Sequence, residues 1–177
     1  EPVHIEIEPE NLASETVDQR FLSVSSFDKY RVLLNSLKDG NIERAIVFAN
    51  RRHVTRELAE RLQRDGIASA LLSGEVAQQK RVKTLERFRT GETPVMVATD
   101  VAGRGIHVDG VSHVFNYDLP EELEDYVHRI GRTGRAGASG MAISFASEDD
   151  AFLLPDLEAL LGKPIHCEPV PEKLLEE

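Results

Sequence analysis

The chain has 177 residues, 41% of them hydrophobic and 29% charged, which is ordinary for a globular domain and excludes a fibrous or low-complexity protein. Its longest purely apolar runs, such as residues 45–49, are far shorter than the roughly 20 residues needed to cross a bilayer, so we expect no membrane span. The formal net charge is −10. The acidic excess lies in residues 1–18 and 148–177, and the segment between them is mildly basic. The net charge therefore does not exclude binding to nucleic acid.

The cysteine and histidine content argues against disulfides and metal sites. Cys167 is the single cysteine and cannot form an internal disulfide, which fits a reducing compartment, so we expect a cytoplasmic protein. The six histidines are scattered, and only His166 adjoins the cysteine, so we expect no metal site. Because the sequence begins without methionine, we expect a segment of a longer protein.

From residue 19 onward, short β-branched runs alternate with helical patterns. Strands are predicted at 20–25, 44–49, 68–72, 94–99, 112–117 and 141–146. Helices are predicted where apolar residues recur at helical spacing and face inward: Tyr30, Leu33, Leu34 and Leu37; Val54, Leu58, Ala59 and Leu62; Val82, Leu85 and Phe88; Leu123, Val127 and Ile130. This alternation predicts an α/β fold of three layers, with a mainly parallel sheet and helices on both faces.

The ends of the predicted elements set the domain organisation. Ser26 is predicted to cap the first helix, and Ser147 to cap a last helical stretch that Pro155 interrupts. We place the domain at residues 19–162. An acidic approach segment precedes it at 1–18, and an acidic tail follows it at 163–177.

A basic, glycine-rich segment stands out at 128-HRIGRTGRAG-137. Guanidinium groups donate in planar pairs that suit phosphate oxygens, and glycines allow a ligand to approach the backbone closely. The alternative is that these arginines pair with local carboxylates such as Asp125, or help to cap the helix. Other polar segments follow the predicted strands, where ligands of parallel sheets bind: 50-NRRH-53, 73-SGEVAQQKR-81 and 99-TDVAGRGI-106.

The string 128-HRIGRTGR-135 resembles motif VI of the DEAD-box RNA helicases. Three other segments resemble motif IV, the Gly…Gln-x-x-Arg element and motif V, in the order of the family: 45-AIVFANRRH-53, 74-GEVAQQKR-81 and 97-VATDVAGRGI-106. The sequence lacks both a P-loop pattern and an Asp-Glu-Ala-Asp string, which the family carries in its first RecA-like domain. The chain therefore resembles the second, C-terminal RecA-like domain, which implies a three-layer RecA-like fold.

The resemblance implies that ATP with Mg²⁺ is held mainly by the N-terminal RecA-like domain of the same protein. Arg132 and Arg135 would then be arginine fingers that stabilise the transferring phosphoryl group. The other residues expected on the nucleotide side are Gly103, Gly105, His107 and His128. The family usually has Ala at position 103, and at position 107 an Asp that contacts the ribose. A neutral imidazole at His107 can also hydrogen-bond a hydroxyl.

The same resemblance implies contacts to the backbone of single-stranded RNA, without reading of bases. The residues expected to make them are Asn50, Arg51 or its neighbour Arg52, Gly74, Gln78, Arg81 and Thr99. For Lys80, Lys83, Arg87 and Arg89 we keep the interpretation of a solvated helix face. Asp100 is expected to pair internally with a basic or backbone group, and Arg129 either positions its helix or lies on the surface.

Two other functions remain open. Residues 71–81 and 112–140 are most similar to the degradosome members of the family in bacteria, which implies a module that docks on the endoribonuclease RNase E. The segment 131-GRTG-134 can also be interpreted as the G-x-x-G clamp of a KH domain, although the long pattern of parallel strands argues against it.

Overall fold

The computed structural model describes residues 17–39, 41–74, 77–134 and 139–177. Within them, seven strands form one sheet: β1 (Val17–Ser23), β2 (Ala45–Phe48), β3 (Ser69–Leu72), β4 (Val95–Ala98), β5 (His113–Asn116), β6 (Gly140–Ala146) and β7 (Cys167–Pro169). The strands lie in the order β3-β4-β2-β5-β6-β1-β7, and all neighbours are parallel. The predicted parallel sheet is confirmed.

In the described part of the chain, six α-helices cover the two faces of the sheet: α1 (Lys29–Lys38), α2 (Arg52–Arg64), α3 (Gln78–Thr90), α4 (Asp100–Gly103), α5 (Leu123–Ile130) and α6 (Leu154–Leu161). Helices α1 and α2 pack with one apolar cluster, and α3 to α6 contribute to two clusters on the opposite face. The internal strand β2, third in this order, shows why three layers form. Its residues are all buried and alternate between the faces, with Ala45 and Val47 toward α1 and α2, and Ile46 and Phe48 toward α3 and α4.

Two predicted element boundaries differ from the structure. Ser25, not Ser26, caps the 3₁₀ turn Ser26–Asp28 that precedes α1, since its hydroxyl accepts a hydrogen bond from the Phe27 amide at 3.2 Å. Ser26 instead donates its hydroxyl to Glu148 at 2.7 Å. Pro155 lies in the first turn of α6 and does not interrupt the helix. The amides of the first turn have no hydrogen-bond partner within the helix, so the missing N–H of proline costs nothing there.

The segment predicted as an acidic tail, 163–177, contributes to the packed fold. It carries β7, which pairs with β1 through Phe21–Cys167 and Ser23–Pro169. A 3₁₀ turn at Glu172–Leu174 follows, and the Asn35 side-chain amide on α1 donates to the Leu174 carbonyl at 2.9 Å. The sheet therefore extends beyond residue 162.

Helix α3 is the element whose packing the sequence predicts least well. Phe88 is its one buried residue and Leu85 is partly buried, but Val82 is 54% exposed, so the prediction that Val82 faces inward is wrong. The physical reason is the position of α3 beside β3, at the edge of the sheet, where little apolar surface is available to cover a broad helix face.

Replacing Val82 with glutamine is expected to change the free energy of unfolding by less than about 0.5 kcal/mol, because the side chain is already largely in water. Glutamine is also a good helix former, so the helix itself should not be weakened. Urea denaturation of the chain and of the variant measures the difference. A loss above about 1.5 kcal/mol would show that Val82 is packed in solution.

Candidate functional site

A cleft of about 300 Å³ lies at the carboxyl edge of the sheet, between α4 and α5. Its lining residues are Phe48, Asp100, Gly103, Arg104, Gly105, Asp125, His128, Arg129 and Arg132. Four of them, Gly103, Gly105, His128 and Arg132, were predicted for the nucleotide side. The strand carrying Phe48 and the strand preceding Asp100 are neighbours, which is why segments far apart in sequence meet here. Arg104 and Arg132 offer donors suited to phosphate groups, whereas Arg129 is paired with Asp100.

Arg129 is the centre of the hydrogen-bond network beneath this cleft. It is 1% exposed, and its Nε and Nη2 donate to the two carboxylate oxygens of Asp100 at 2.6 and 2.8 Å. Nη2 also donates to Asn50 Oδ1 at 2.6 Å, and Nη1 to the Asp118 carbonyl at 2.7 Å. The prediction that Asp100 pairs internally is confirmed, and the alternative that Arg129 lies on the surface is wrong. A bidentate carboxylate and further acceptors offset the cost of burying this charge.

Arg132 lies at the rim of the cleft, one turn beyond His128. Its Nη1 donates to the Ile106 carbonyl at 2.5 Å and its Nε to the His128 carbonyl at 3.2 Å. The main chain of two segments therefore sets the position of its guanidinium group. Arg135, the second predicted arginine finger, lies outside the described residues.

Two ionisable side chains of α5 flank the cleft. The His128 ring is 65% exposed, and its Nδ1 lies 4.0 Å from Asp125 Oδ1. Burial raises the pKa of Asp125, the nearby charge of Asp100 raises it further, and Arg129 opposes the rise. His128 is therefore accessible to another molecule, while Asp125 faces the interior of the cleft.

The turn after α4 depends on its glycines for different reasons. Gly105 has φ +80°, a conformation that side chains other than glycine rarely adopt. A Cβ added at Gly103 would lie 2.7 Å from Phe48 Cε1, so the alanine usual in the family would press on that ring. His107 is exposed and does not line the cleft. The structure thus brings Gly103 and Gly105 to the cleft and leaves His107 outside its lining.

The residues predicted for RNA contact lie along the carboxyl edge of β3, β4 and β2, which are adjacent. A Cβ added at Gly74 would meet no atom within 4 Å, so the described fold does not crowd this position. Thr99 caps α4 by accepting from the Ala102 amide at 3.4 Å, and Arg81 Nη1 donates to the Ala102 carbonyl at 3.1 Å. Arg81 and Thr99 are therefore held on α4, at the edge that also carries Gly74.

Arg51, Gln78 and Asn50 complete this edge in different ways. Arg51 and Gln78 are exposed at the beginnings of α2 and α3. The Asn50 side chain is directed inward, where its Nδ2 donates to the Leu119 carbonyl at 3.0 Å and its Oδ1 accepts from Arg129. Asn50 thus connects the edge to the Arg129 network.

Sequence reasoning missed two residues that support this edge. Asp118 Oδ2 accepts from the main-chain amide of Asn50 at 3.0 Å, and its Oδ1 accepts from Nζ of the buried Lys29 at 2.9 Å. Asn116, fully buried at the end of β5, accepts from Arg129 at 3.3 Å. The sequence signal for both is a polar residue at the end of an apolar strand or shortly after it, since β5 ends at Asn116.

The KH-type interpretation of 131–134 does not fit the structure. Gly131, Thr133 and Gly134 are buried, and the Thr133 hydroxyl donates to the Val111 carbonyl. A seven-stranded parallel sheet also differs from the compact KH layout. This glycine segment serves internal packing instead.

Among the described residues, no group of three or more His, Cys, Asp or Glu side chains is placed to hold a metal ion. Within those residues there is also no helix of the length and apolarity that a bilayer crossing requires.

Comparison with known proteins identifies the family. The family model described as "Helicase conserved C-terminal domain" matches residues 28–137. The chain belongs to this family. It is 59% identical over 174 residues to the ATP-dependent RNA helicase RhlB of Pseudomonas putida, covering 98% of this chain and 44% of that protein. It is 50% identical over 165 residues to RhlB of Haemophilus influenzae, covering 93% of this chain and 40% of that protein. The chain spans less than half the length of these curated relatives.

Solved structures agree with the family assignment and with the fold. The E. coli DEAD-box protein SrmB, solved bound to the regulator of ribonuclease activity RraA, has a TM-score of 0.82 and 38% identity, covering 92% of this chain and 95% of that chain. S. cerevisiae Dbp5, bound to RNA and ADP BeF3, has a TM-score of 0.79 and 29% identity, covering 97% and 49%. The predicted second RecA-like domain of a DEAD-box helicase is confirmed, as is the resemblance to RhlB.

Proposed function

We propose that the chain is the C-terminal half of an ATP-dependent RNA helicase. ATP with Mg²⁺ is bound mainly by the N-terminal RecA-like domain of the same protein, and Arg132 and Arg135 complete the site from this chain. The observation that carries the proposal is the cleft at the carboxyl edge, where Arg132 and the glycine turn at 103–105 lie together. The role of Arg135 rests on its spacing from Arg132 in the motif.

The chemistry expected of this half is stabilisation of charge rather than covalent catalysis. When the two domains close, Arg132 and Arg135 donate to the phosphoryl group as negative charge develops on its oxygens. The turn at Gly103 and Gly105 allows the main chain to approach the nucleotide, and the exposed His107, just beyond the cleft lining, hydrogen-bonds a ribose hydroxyl. His128, which is exposed, contacts the N-terminal domain. Closure also excludes water from the site.

RNA is proposed to lie along the edge formed by β3, β4 and β2. Gly74 leaves room for a sugar-phosphate backbone, and Arg51, Gln78, Arg81 and Thr99 supply donors around it. Asn50 takes part mainly by holding Arg129, since its side chain is directed inward. These contacts address phosphates and sugars, so binding should be independent of base sequence. The RNA-bound structure of the similar protein Dbp5 supports an RNA role for this fold.

A second proposal is a protein-docking module for RNase E, which is compatible with the first. The observation that favours it is the structure of the similar protein SrmB with RraA, in which this type of chain carries a protein partner. Charge reversal at Arg132 and Arg135 should abolish ATP turnover and leave docking intact. Pull-down assays with RNase E segments, using the full-length helicase, measure docking directly.

Cytoplasmic location stays a prediction from the composition.

ATP turnover by the isolated chain provides the test of the main proposal. Because this chain has no P-loop, we expect no appreciable hydrolysis with RNA present, while the full-length helicase should show RNA-stimulated turnover. Phosphate release is the measurement, with the full-length protein assayed alongside as the positive control. Robust turnover by the isolated chain would contradict a site shared between two domains.

A further inference from the structure

Helix α3 is unusually exposed for an element of this length. Of its 13 residues only Phe88 is buried, and Leu85 is partly buried. Most helices in folded proteins derive their stability from an apolar face packed on the core. The outer surface of α3 is therefore available to a ligand without any loss of packing.

One flank of this helix is a stripe of positive charge. Lys80, Lys83 and Arg87 follow at intervals of three and four residues, which places them on the same side, and all three are exposed. Glu86, the acidic residue of the helix, lies one turn beyond Lys83 and pairs with Arg89. Lys80 and Lys83 form no ion pair with a described residue. Arg87 lies 3.3 Å from Glu92, but both side chains are more than 60% exposed, so this pair contributes little.

The stripe continues from the proposed RNA edge. Helix α3 begins at Gln78 and carries Arg81 one turn later, and both belong to that edge. From Lys80 to Arg87 the cations extend about 10 Å along the helix axis. An RNA backbone that contacts Gly74 and Arg81 can thus continue along the flank, where the charge of the neighbouring Glu86 is already paired with Arg89.

We propose that the flank formed by Lys80, Lys83 and Arg87 is an additional binding surface for the phosphate backbone of RNA, extending the path beyond Gly74 and Arg81. The inference rests on the proposed function, and it replaces the interpretation of these residues as a solvated face. The ligand chemistry follows from the surface itself. The flank offers ammonium and guanidinium donors and no apolar centre, whereas a protein interface would be expected to have an apolar core.

The test is a double variant of the full-length helicase, Lys80→Gln/Lys83→Gln, with Lys38→Gln/Lys163→Gln as the matched control. The control removes the same charge from exposed lysines on α1 and after α6. Affinity is measured for a short single-stranded RNA that covers only the strand edge and for a longer one, over a range of salt concentrations. Circular dichroism and thermal melting confirm that both variants are folded.

The expected result is a loss confined to the longer RNA. Log affinity falls as log salt rises, and each lost phosphate contact should make this slope shallower by about 0.7. At 0.1 M salt this corresponds to a roughly fivefold loss of affinity per contact. The double variant should therefore bind the longer RNA on the order of 20-fold more weakly, while the control binds as the parent does.

Three outcomes would overturn the proposal. If the double variant binds the longer RNA as tightly as the parent does, the flank is not an RNA surface, and an acidic protein segment becomes the ligand to test. If short and long RNA lose affinity equally, the lysines do not extend the path. If the parent protein binds neither RNA, the proposed function itself fails, and the extension fails with it.

Discussion

Replacing Arg132 with glutamine in the full-length helicase is expected to lower RNA-stimulated ATP turnover by about 10³–10⁵-fold, the range found for arginine fingers in other nucleotide hydrolases. The guanidinium group lies at the rim of the cleft, held by the carbonyls of Ile106 and His128. Glutamine has no charge with which to stabilise the transferring phosphoryl group. The loss should appear in kcat, since the N-terminal domain holds most of the nucleotide.

Two control variants separate this role from loss of charge alone. Lys38→Gln removes one positive charge from an exposed position at the end of α1 and should leave kcat unchanged. Arg132→Lys keeps the charge but loses the planar pair of donors, so it should recover only part of the activity. Steady-state phosphate release measures all three variants. Turnover of Arg132→Gln within threefold of the parent would rule out an arginine finger at this position.

Replacing Arg129 with methionine is expected to destabilise the chain by about 3–5 kcal/mol, because Asp100 then loses its bidentate partner. Asn50 Oδ1 and the Asp118 carbonyl lose a donor at the same time. For a chain of this length the melting temperature should fall by about 6–20 °C. Urea denaturation monitored by circular dichroism gives the free energy, and a melting curve gives the temperature.

A double variant shows whether the pair with Asp100 is the cause. Removing both charges, in Arg129→Met with Asp100→Asn, should cost less than the sum of the two single changes, because no unpaired buried charge remains. Lys38→Gln in the same chain serves as the stability control, since Lys38 is exposed at the end of α1. A loss below 1 kcal/mol for Arg129→Met would show that the network is not structural.

The fold could be predicted largely from the sequence, because a strand buried on both faces of a sheet consists of a short run of apolar residues. Residues 45–48 form such a run and occupy β2, which has a paired strand on each side. Strand β7 could not be predicted in this way, since it has three residues, ends in Pro169 and depends on pairing with the distant β1. The exposure of Val82 could not be predicted from the sequence for a related reason. Helical spacing identifies an apolar stripe, but not how much of the sheet lies beneath it.

The candidate site could be predicted to the extent that it follows strand ends. Parallel strands bring their carboxyl ends to one edge, so Thr99 and Gly74 were expected to lie near each other. The burial of Arg129 could not be predicted, because it depends on acceptors from separate segments, including Asp100 and Asn50. These contacts also change the interpretation of Asn50, which was predicted to contact RNA. Its side chain lies at the RNA edge but accepts a hydrogen bond from Arg129. Sequence spacing gives the residues of a motif, while their partners depend on the fold.

A structure of the full-length protein with RNA and ADP BeF3 would test the central claim most directly, namely that this chain completes a nucleotide site held by another domain. We predict the guanidinium group of Arg132 within about 2.7–3.1 Å of the phosphate mimic. The RNA backbone should lie against Gly74, Gln78 and Arg81. If Arg132 still contacts only this chain while the nucleotide is bound and the domains are closed, the arginine does not serve that nucleotide, and the account is contradicted.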